Sequence, residues 1–334
     1  MRRVFVINPT AGKSNAAKWL VPKIRAAAAQ TGLPAEIVIT THAGHARQLA
    51  AQAAAEGREI RFYACGGDGT MNELLQGASG CKNIAVGCVP CGSGNDFVRN
   101  FPMRQAFSDL AAQLLAEPVC VDVIRTPYGC GVDICAAGLD AQVAYGIPKF
   151  RRLPMCGGTM AYTLSILETA FSDFNHRLRI TLDGHRLEDS YMICAICNGR
   201  LYGGGYLAAP WAVMDDGLLD VVLVHPMPLP RALRFLTYYK NGAHLLKDGS
   251  VLEKFADAVQ FFRAKRIELE VLDGKPIITT LDGECAPRME LQAEIAEKQL
   301  NLLLPAAVAQ SEPCVLQTVR SSRPVLQKTG PTVS

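Results

Sequence analysis

No apolar run in this 334-residue chain approaches the roughly 20 residues that a helix needs to cross a bilayer. Met1-Arg2-Arg3 followed by Val4-Phe5-Val6-Ile7 begins like a secretory leader. The run stops at Asn8-Pro9, short of a signal core, and reads as a first strand. A soluble, cytoplasmic protein is expected, with any membrane contact peripheral and transient. Charge of one sign is also scarce. The 34 Lys and Arg face 31 Asp and Glu, and a net +3 gives no basis for a nucleic-acid partner, nor does it oppose an anionic membrane surface. The six histidines lack the spacing of a metal site or a triad. Cysteine is plentiful, at twelve, but zinc-type pairing is missing. Cys88/Cys91 and Cys194/Cys197 are the C-x-x-C pairs, and the second lies in the strand-like run Tyr191-Met192-Ile193-Cys194-Ala195-Ile196-Cys197. Residues three apart on a strand face opposite sides, so these two cannot chelate one ion. Buried cytosolic thiols are the expectation.

With 49% apolar and 19% charged residues, the chain is globular and long enough for two cores. Strands are read at 4–7, 35–40, 60–64, 84–89 and 119–124. They alternate with helices at 14–29 (Ser14 as N-cap, Pro22 as an irregularity), up to Gly57, from Met71, and across 103–117. This alternation predicts an open α/β sheet with right-handed crossovers over residues 1–124, a nucleotide-binding domain with ligands beyond the carboxyl ends of its strands. After 125 the texture turns β-rich, with runs at 132–143, 177–182, 191–197, 218–224 and 267–280 and turns such as Asp183-Gly184 and Asp273-Gly274-Lys275. Helical patterns interrupt at 159–172 and 229–247. A β-sandwich-like domain is expected over 125–288, a closing hairpin over 289–304 that returns to the first domain, and a disordered tail over 305–334.

Five stretches carry chemistry. Cys65-Gly66-Gly67-Asp68-Gly69-Thr70-Met71-Asn72-Glu73 follows the third strand and opens a helix, which aims backbone N–H groups and a helix dipole at an anion. An acid there repels phosphate, so Asp68 suits a cation that itself faces phosphate; a plain glycine-rich turn is the other reading. Asn8-Pro9-Thr10-Ala11-Gly12-Lys13 is half of a phosphate loop without the full Walker spacing. Gly92-Ser93-Gly94-Asn95-Asp96 repeats the recipe at the same sheet edge, with Asp96 alternatively a helix cap. Ala212-Val213-Met214-Asp215-Asp216-Gly217-Leu218-Leu219-Asp220 sets three acids around a glycine and suits a hard cation or a hairpin turn. Thr280-Leu281-Asp282-Gly283-Glu284 places two acids about a glycine at a strand end, one as general base and the other as its support, or else forms another tight turn.

In this order the motifs resemble the diacylglycerol kinase catalytic-domain family, which includes bacterial soluble lipid kinases and sphingosine kinases. The matching residues are Asn8-Pro9-x-x-Gly12-Lys13, Thr40-x-x-x-Gly44-His45-Ala46, Gly66-Gly67-Asp68-Gly69-Thr70-x-Asn72-Glu73, Pro90-x-Gly92-Ser93-Gly94-Asn95-Asp96-Phe97-x-Arg99, Asp215-Asp216-Gly217 and Asp282-Gly283-Glu284. The likeness runs to about Leu304. It implies an active site in the cleft between an ATP-binding α/β domain and a β-sandwich domain. It implies ATP contacts at Asn8, Pro9, Thr10, Ala11, Gly12, Thr40, Gly67, Asp68, Gly69, Thr70, Met71, Asn72, Glu73 and Ser93. A structural Mg²⁺ on Asp216 and the carbonyls of Val213 and Leu218 is implied too, tied to the active site by Lys13, Asp68, Asp96, Asp122 and Asp215. Glu284 matches the general base, with Asp282 beside it. Ser93 departs from the family's usual Thr but keeps the hydroxyl.

The expected reaction is γ-phosphoryl transfer from MgATP to a hydroxyl of a lipid at a membrane surface, diacylglycerol first among monoacylglycerol, sphingoid bases and polyprenols. Leu201-Tyr202-Gly203-Gly204-Gly205-Tyr206-Leu207 and Phe150-Arg151-Arg152-Leu153 are candidates for the wall and mouth of the lipid cleft. An NAD kinase-like enzyme with a soluble acceptor and a nucleotide-binding regulator without catalysis are the alternatives. A homodimer is kept open.

Overall fold

The computed structural model describes residues 1–12, 14–92, 94–151, 175–310 and 316. Lys13, Ser93, the helix read at 159–172, the side chains at 150–153 and most of 305–334 lie outside the described residues.

Strands β1 (Arg2–Ile7), β2 (Glu36–Ile39), β3 (Ile60–Gly66) and β4 (Ile84–Pro90) are parallel, in the order β2-β1-β3-β4. Helices α1 (Ala16–Thr31), α2 (His45–Glu56) and α3 (Asp68–Ala78) connect them. All of β3 is buried, because helices cover both faces of a parallel sheet, and its sequence is accordingly an apolar run rather than an alternation. In α1, Ala16, Leu20, Ile24 and Ala27 form the buried stripe. Its cap is Asn15 rather than Ser14, and the helix passes through Pro22 unbroken. The single helix expected across 103–117 is divided. After the short α4 (Asp96–Arg99), Met103 turns left-handed at φ 55, a 3₁₀ turn spans Arg104–Ser108, and Asp109 caps a new helix α5 (Leu110–Leu115) by accepting from Ala112 N–H.

The second half comprises β5 (Glu117–Thr126), β6 (Gly129–Gly131), β7 (Ile134–Gly138), α6 (Leu139–Arg151), β8 (His176–Leu182), β9 (His185–Tyr191), β10 (Ile193–Cys197) and β11 (Leu219–Val224). Then follow α7 (Leu229–Lys240), β12 (Val259–Ala264), β13 (Arg266–Val271), β14 (Ile277–Leu281), β15 (Glu284–Arg288), β16 (Glu290–Leu304) and α8 (Ala306–Ala309). The β-run expected at 132–143 is a strand that becomes a helix. Gly138 makes the switch at φ 107, where a Cβ would lie 2.4 Å from the Met192 carbonyl oxygen. The helix expected over 229–247 stops at Lys240, where Asn241 and the left-handed Gly242 end it.

Six strands form a second, antiparallel sheet in the order β12-β11-β10-β7-β14-β15. One face packs on β8, β13 and β16, with Cys194, Ile196, Val221 and Phe262 against Ile180, Leu269 and Leu291. The opposite face packs under α7 and holds Cys197, so the two C-x-x-C thiols do point to opposite sides.

Residues 289–304 are not a hairpin. They form one long strand, β16, which is antiparallel to β13 and β5 and parallel to β4. A bulge between Ala296 and Leu300, with Lys298 left-handed at φ 52, bends it without reversing it. The two halves therefore share one ten-stranded sheet. Nor is the start of the tail disordered. In α8, Val308 is buried, and with Leu316 it joins the core of the first half.

Leu302 is fully buried where β16 runs between β4 and β5. Leu302→Ala is expected to cost about 2–5 kcal/mol in urea unfolding. Both halves should lose structure in one transition; separate transitions would show that the shared strand does not couple them.

Candidate active site

Three turns meet at the carboxyl edge of β1, β3 and β4. After β1, Asn8 builds its own turn, since its Oδ1 accepts from Thr10 N–H at 3.0 Å and from the Thr10 hydroxyl at 2.8 Å. Ala11 N–H returns to the Asn8 carbonyl, and Asn8 Nδ2 lies 3.4 Å from Thr70 Oγ1. Gly12, at φ +78, passes so close to the next turn that a Cβ would sit 2.5 Å from the Cys91 carbonyl oxygen. Thr40 is drawn to the same edge by its N–H on the Ile7 carbonyl, 2.9 Å away.

The turn after β3 is packed backbone on backbone. A Cβ on Gly92 would meet the Gly67 Cα at 2.5 Å, and one on Gly94 would meet Asp68 Oδ2 at 2.7 Å. The glycines are required there by the approach of the two loops. Asp68, the first residue of α3, accepts from Phe97 N–H at 3.3 Å and so ties the β3 turn to the β4 turn. Gly69 is exposed with nothing within 4 Å of where a Cβ would lie, which leaves room for a ligand at the positive end of α3.

Not every residue of that motif faces the edge. Met71 is packed in the core, and Asn72 accepts from Gln76 Nε2 at 2.8 Å. The Glu73 carboxylate takes Gly44 N–H at 2.8 Å and Ala46 N–H at 3.1 Å, which caps the start of α2. The motif thus divides into Gly67, Asp68, Gly69 and Thr70 at the edge and Met71, Asn72 and Glu73 as its support.

In the second half of the chain, Asp282 is left-handed at φ 46 and pins the β14–β15 turn to the start of β7. It accepts from Val132 N–H at 2.6 Å, Asp133 N–H at 3.1 Å and Ile134 N–H at 2.8 Å. Its carboxylate is thus engaged by three backbone amides. Glu284, two residues on, is exposed. Burial and the Asp68 charge nonetheless push the Asp282 carboxyl up, against the pull of the three N–H groups. Asp133 is buried deeper still. It accepts from Asn100 Nδ2 at 2.9 Å, and burial, then Asp282, Asp68 and Asp96, raise its carboxyl well above the usual range. Asp96 accepts from Arg99 at 3.2 Å and from Gly204 N–H at 2.9 Å, which ties the Tyr202–Tyr206 loop to the turn after β4.

A second polar chain lies behind that loop. Tyr202 OH donates to Asp140 Oδ2 at 2.5 Å and lies 3.2 Å from Tyr239 OH. Burial pushes the Asp140 carboxyl up to about 6, opposed by Tyr202 and the Ala141 N–H.

The Asp215-Asp216-Gly217 turn is tied to β5 and β16 by Asp122. This buried carboxylate accepts from Gly217 N–H at 2.8 Å and from Lys298 N–H at 2.7 Å. Burial, then Asp215 and Asp216, raise it. Arg263 on β12 bridges Asp216 and Asp220, with Nε 2.8 Å from Asp220 Oδ1. Asp216 Oδ1 also accepts from Leu218 N–H at 3.2 Å.

Comparison with known proteins agrees with this architecture. Residues 2–126 match the diacylglycerol kinase catalytic domain, and residues 133–304 match the YegS C-terminal NAD kinase beta sandwich-like domain. The chain belongs to the diacylglycerol kinase catalytic-domain family. It is 27% identical to a protein named "Probable lipid kinase YegS-like" from Shewanella frigidimarina, over 77% of this chain and 79% of that one. It is also 27% identical to the diacylglycerol kinase of Bacillus subtilis, over 82% and 90%. The crystal structure of a diacylglycerol kinase from Bacillus anthracis superposes with a TM-score of 0.64 at 20% identity, over 92% of this chain and 98% of that one.

For this lipid kinase family member, sequence reading missed Asp133, Asp140, Asn100 and Arg263. Each sits singly in an apolar or mixed run, and only folding gives it a partner. Asp133 had one available signal, as a lone acid in the buried run Val132-Asp133-Ile134-Cys135.

With its folded value near 6 above the ordinary 3.8, Asp140 binds more protons folded than unfolded in between. Stability from this group therefore falls as pH rises from about 4 to 6. Asp140→Asn should flatten that part of a Tm-against-pH curve. Curves that stay parallel across the window would place the Asp140 carboxyl at its ordinary value.

Proposed function

We propose that this chain is an ATP-dependent lipid kinase that transfers the γ-phosphate of MgATP to a lipid hydroxyl, diacylglycerol first, giving phosphatidic acid. One observation carries the reading: the glycine-tight edge around Asp68 is tied to the Asp282-Gly283-Glu284 turn, since Phe97 N–H holds Asp68, Asn100 Nδ2 three residues on holds Asp133, and Asp133 N–H holds Asp282. The names of the relatives support a lipid acceptor.

In this reading the Asn8–Gly12 turn and Gly67, Gly69 and Thr70 bind the nucleotide, with the α3 dipole favouring its phosphates. Ser93 is assigned there by its motif alone. Asp282 fixes the turn so that Glu284 reaches the acceptor hydroxyl, and Glu284 takes the proton as the oxygen attacks phosphorus. Phosphoryl transfer relies on placement and charge neutralisation more than on covalent chemistry, which matches a site built from tight turns.

The magnesium that the resemblance implies is assigned in this reading to the Asp216 region, although among the described residues no group of three or more His, Cys, Asp or Glu is gathered as a metal site. The donor set is all oxygen, as a hard cation prefers, and Asp122, Asp215, Asp216 and Asp220 outnumber the single guanidinium of Arg263. Asp216 would hold the ion with the carbonyls of Val213 and Leu218, in place of the Arg263 guanidinium that it now accepts from. When bound, Mg²⁺ would supply positive charge that relieves the crowding among these acids. Asp122 and Asp215 position that turn. Lys13 and Asp96 complete the network in the proposal.

A kinase of a soluble acceptor such as NAD is separated by assay. Turnover with diacylglycerol in mixed micelles and none with NAD is expected, and phosphorylation of NAD alone would overturn the proposal. Glu284→Gln should lower kcat by about two to four orders of magnitude with binding of nucleotide retained. A near-normal kcat in that variant would move the base elsewhere.

A further inference from the structure

We infer that the outer flank of α7 is the surface on which this protein docks to an anionic bilayer. The inference rests on the lipid kinase reading only for its purpose, since the surface itself is read from the helix. α7 buries Ala232, Phe235 and Tyr239 against the antiparallel sheet. A second apolar stripe, Leu229, Leu233 and Leu236, runs beside the buried one at helical spacing and ends at Lys240. Leu229 is 47% and Leu233 52% exposed. Single exposed leucines are ordinary on a protein surface. Leucines in register on one flank of a helix that contains no acid are not.

Beyond the end of α7 the surface continues in kind. Trp211 is 36% exposed and its indole N–H donates to the Leu245 carbonyl at 3.3 Å, and Leu246, next in the chain, is 46% exposed. Residues 229–254 carry Arg231, Arg234, Lys240, Lys247 and Lys254 against Asp248 and Glu253. This stretch alone equals the +3 of the whole chain. Arg231 is engaged with Asp257 and Lys254 lies over the Tyr238 ring, while Arg234 and Lys240 are exposed on the helix, Lys240 with its ammonium 5.8 Å from the Tyr206 ring. Apolar side chains, an indole with its N–H satisfied, and an excess of basic groups describe a segment that lies in a membrane interface. Charge complementarity selects an anionic lipid surface over a protein of unspecified kind.

The position of α7 links docking to the cleft. Leu207 N–H donates to the Lys240 carbonyl at 3.2 Å, and Tyr239 OH lies 3.2 Å from Tyr202 OH. Two residues further, Gly204 N–H holds Asp96 at the nucleotide edge. A bilayer under α7 therefore lies against the Tyr202–Tyr206 loop, where an acceptor hydroxyl would enter. Among the described residues no helix is long and apolar enough to cross a membrane, so contact through α7 is lateral.

The test is cosedimentation of the full chain with extruded vesicles of phosphatidylcholine alone and of phosphatidylcholine with phosphatidylglycerol. Wild type should bind the anionic vesicles and barely the neutral ones. Leu233→Glu should weaken anionic-vesicle binding by about tenfold or more, and Arg234→Gln and Lys240→Gln by about fivefold each, less at high salt. All three should keep the wild-type Tm, and turnover of a short-chain, fully dissolved diacylglycerol should be unchanged in Leu233→Glu and Arg234→Gln. Equal binding of wild type to both vesicle types, or wild-type binding by Leu233→Glu, would overturn the proposal. So would a shift from dimer to monomer in Leu233→Glu with vesicle binding intact, which would mark the face as a subunit contact. Leu233-dependent vesicle binding by a protein that phosphorylates no lipid would leave the docking surface standing and remove the substrate reading instead.

Discussion

The hydrogen bonds of Asp122 join three pieces of chain that are far apart in sequence. One oxygen holds Gly217 N–H in the acidic turn and the other holds Lys298 N–H at the bulge of β16. The carboxylate is 1% exposed, so losing either donor would leave a buried charge short of a partner. The bulge is where β16 changes neighbours, from β13 in the sandwich to β4 in the α/β half. Fixing the bulge therefore fixes the point at which the long strand passes from one half of the protein to the other.

Around Asp68 the protein concentrates like charge. Burial first, and neighbouring carboxylates after it, raise Asp96, Asp133 and Asp282, and the chain answers with backbone amides more than with cations. Three N–H groups hold Asp282, and Phe97 N–H and Gly204 N–H hold Asp68 and Asp96. Oriented amides bring partial positive charge without the bulk of a lysine and leave the centre open. The arrangement suits a ligand that arrives with its own cations.

Much of this was legible in the sequence because it depends on local constraints. Gly92 is forced by the backbone of the facing loop and Gly94 by the Asp68 carboxylate, and the strand and helix periods around them follow from a sheet covered on both faces. Other features depend on what lies opposite. The 132–143 run looked like a strand throughout, since the apolar residues after Gly138 satisfy either period, and only the approach of the Met192 carbonyl decides the turn. The 289–304 run looked like a hairpin because a left-handed Lys298 has no signature in sequence. Glu73 matched a nucleotide motif, yet its carboxylate serves α2, a role that depends on where the neighbouring helix begins. The start of the tail, poor in periodicity, still buries Val308 because the first core leaves a place for it.

The register of β16 also sets an order of events during synthesis. β4 pairs with residues 301–303, more than two hundred positions downstream. Until they leave the ribosome, the parallel sheet made by the first ninety residues carries an open edge along its buried strand β4. Such an edge is a template for any passing strand, and its closure waits on one of the longest loops the chain can form. The nascent first half is thus the stage at which this protein is most exposed to aggregation and to chaperones.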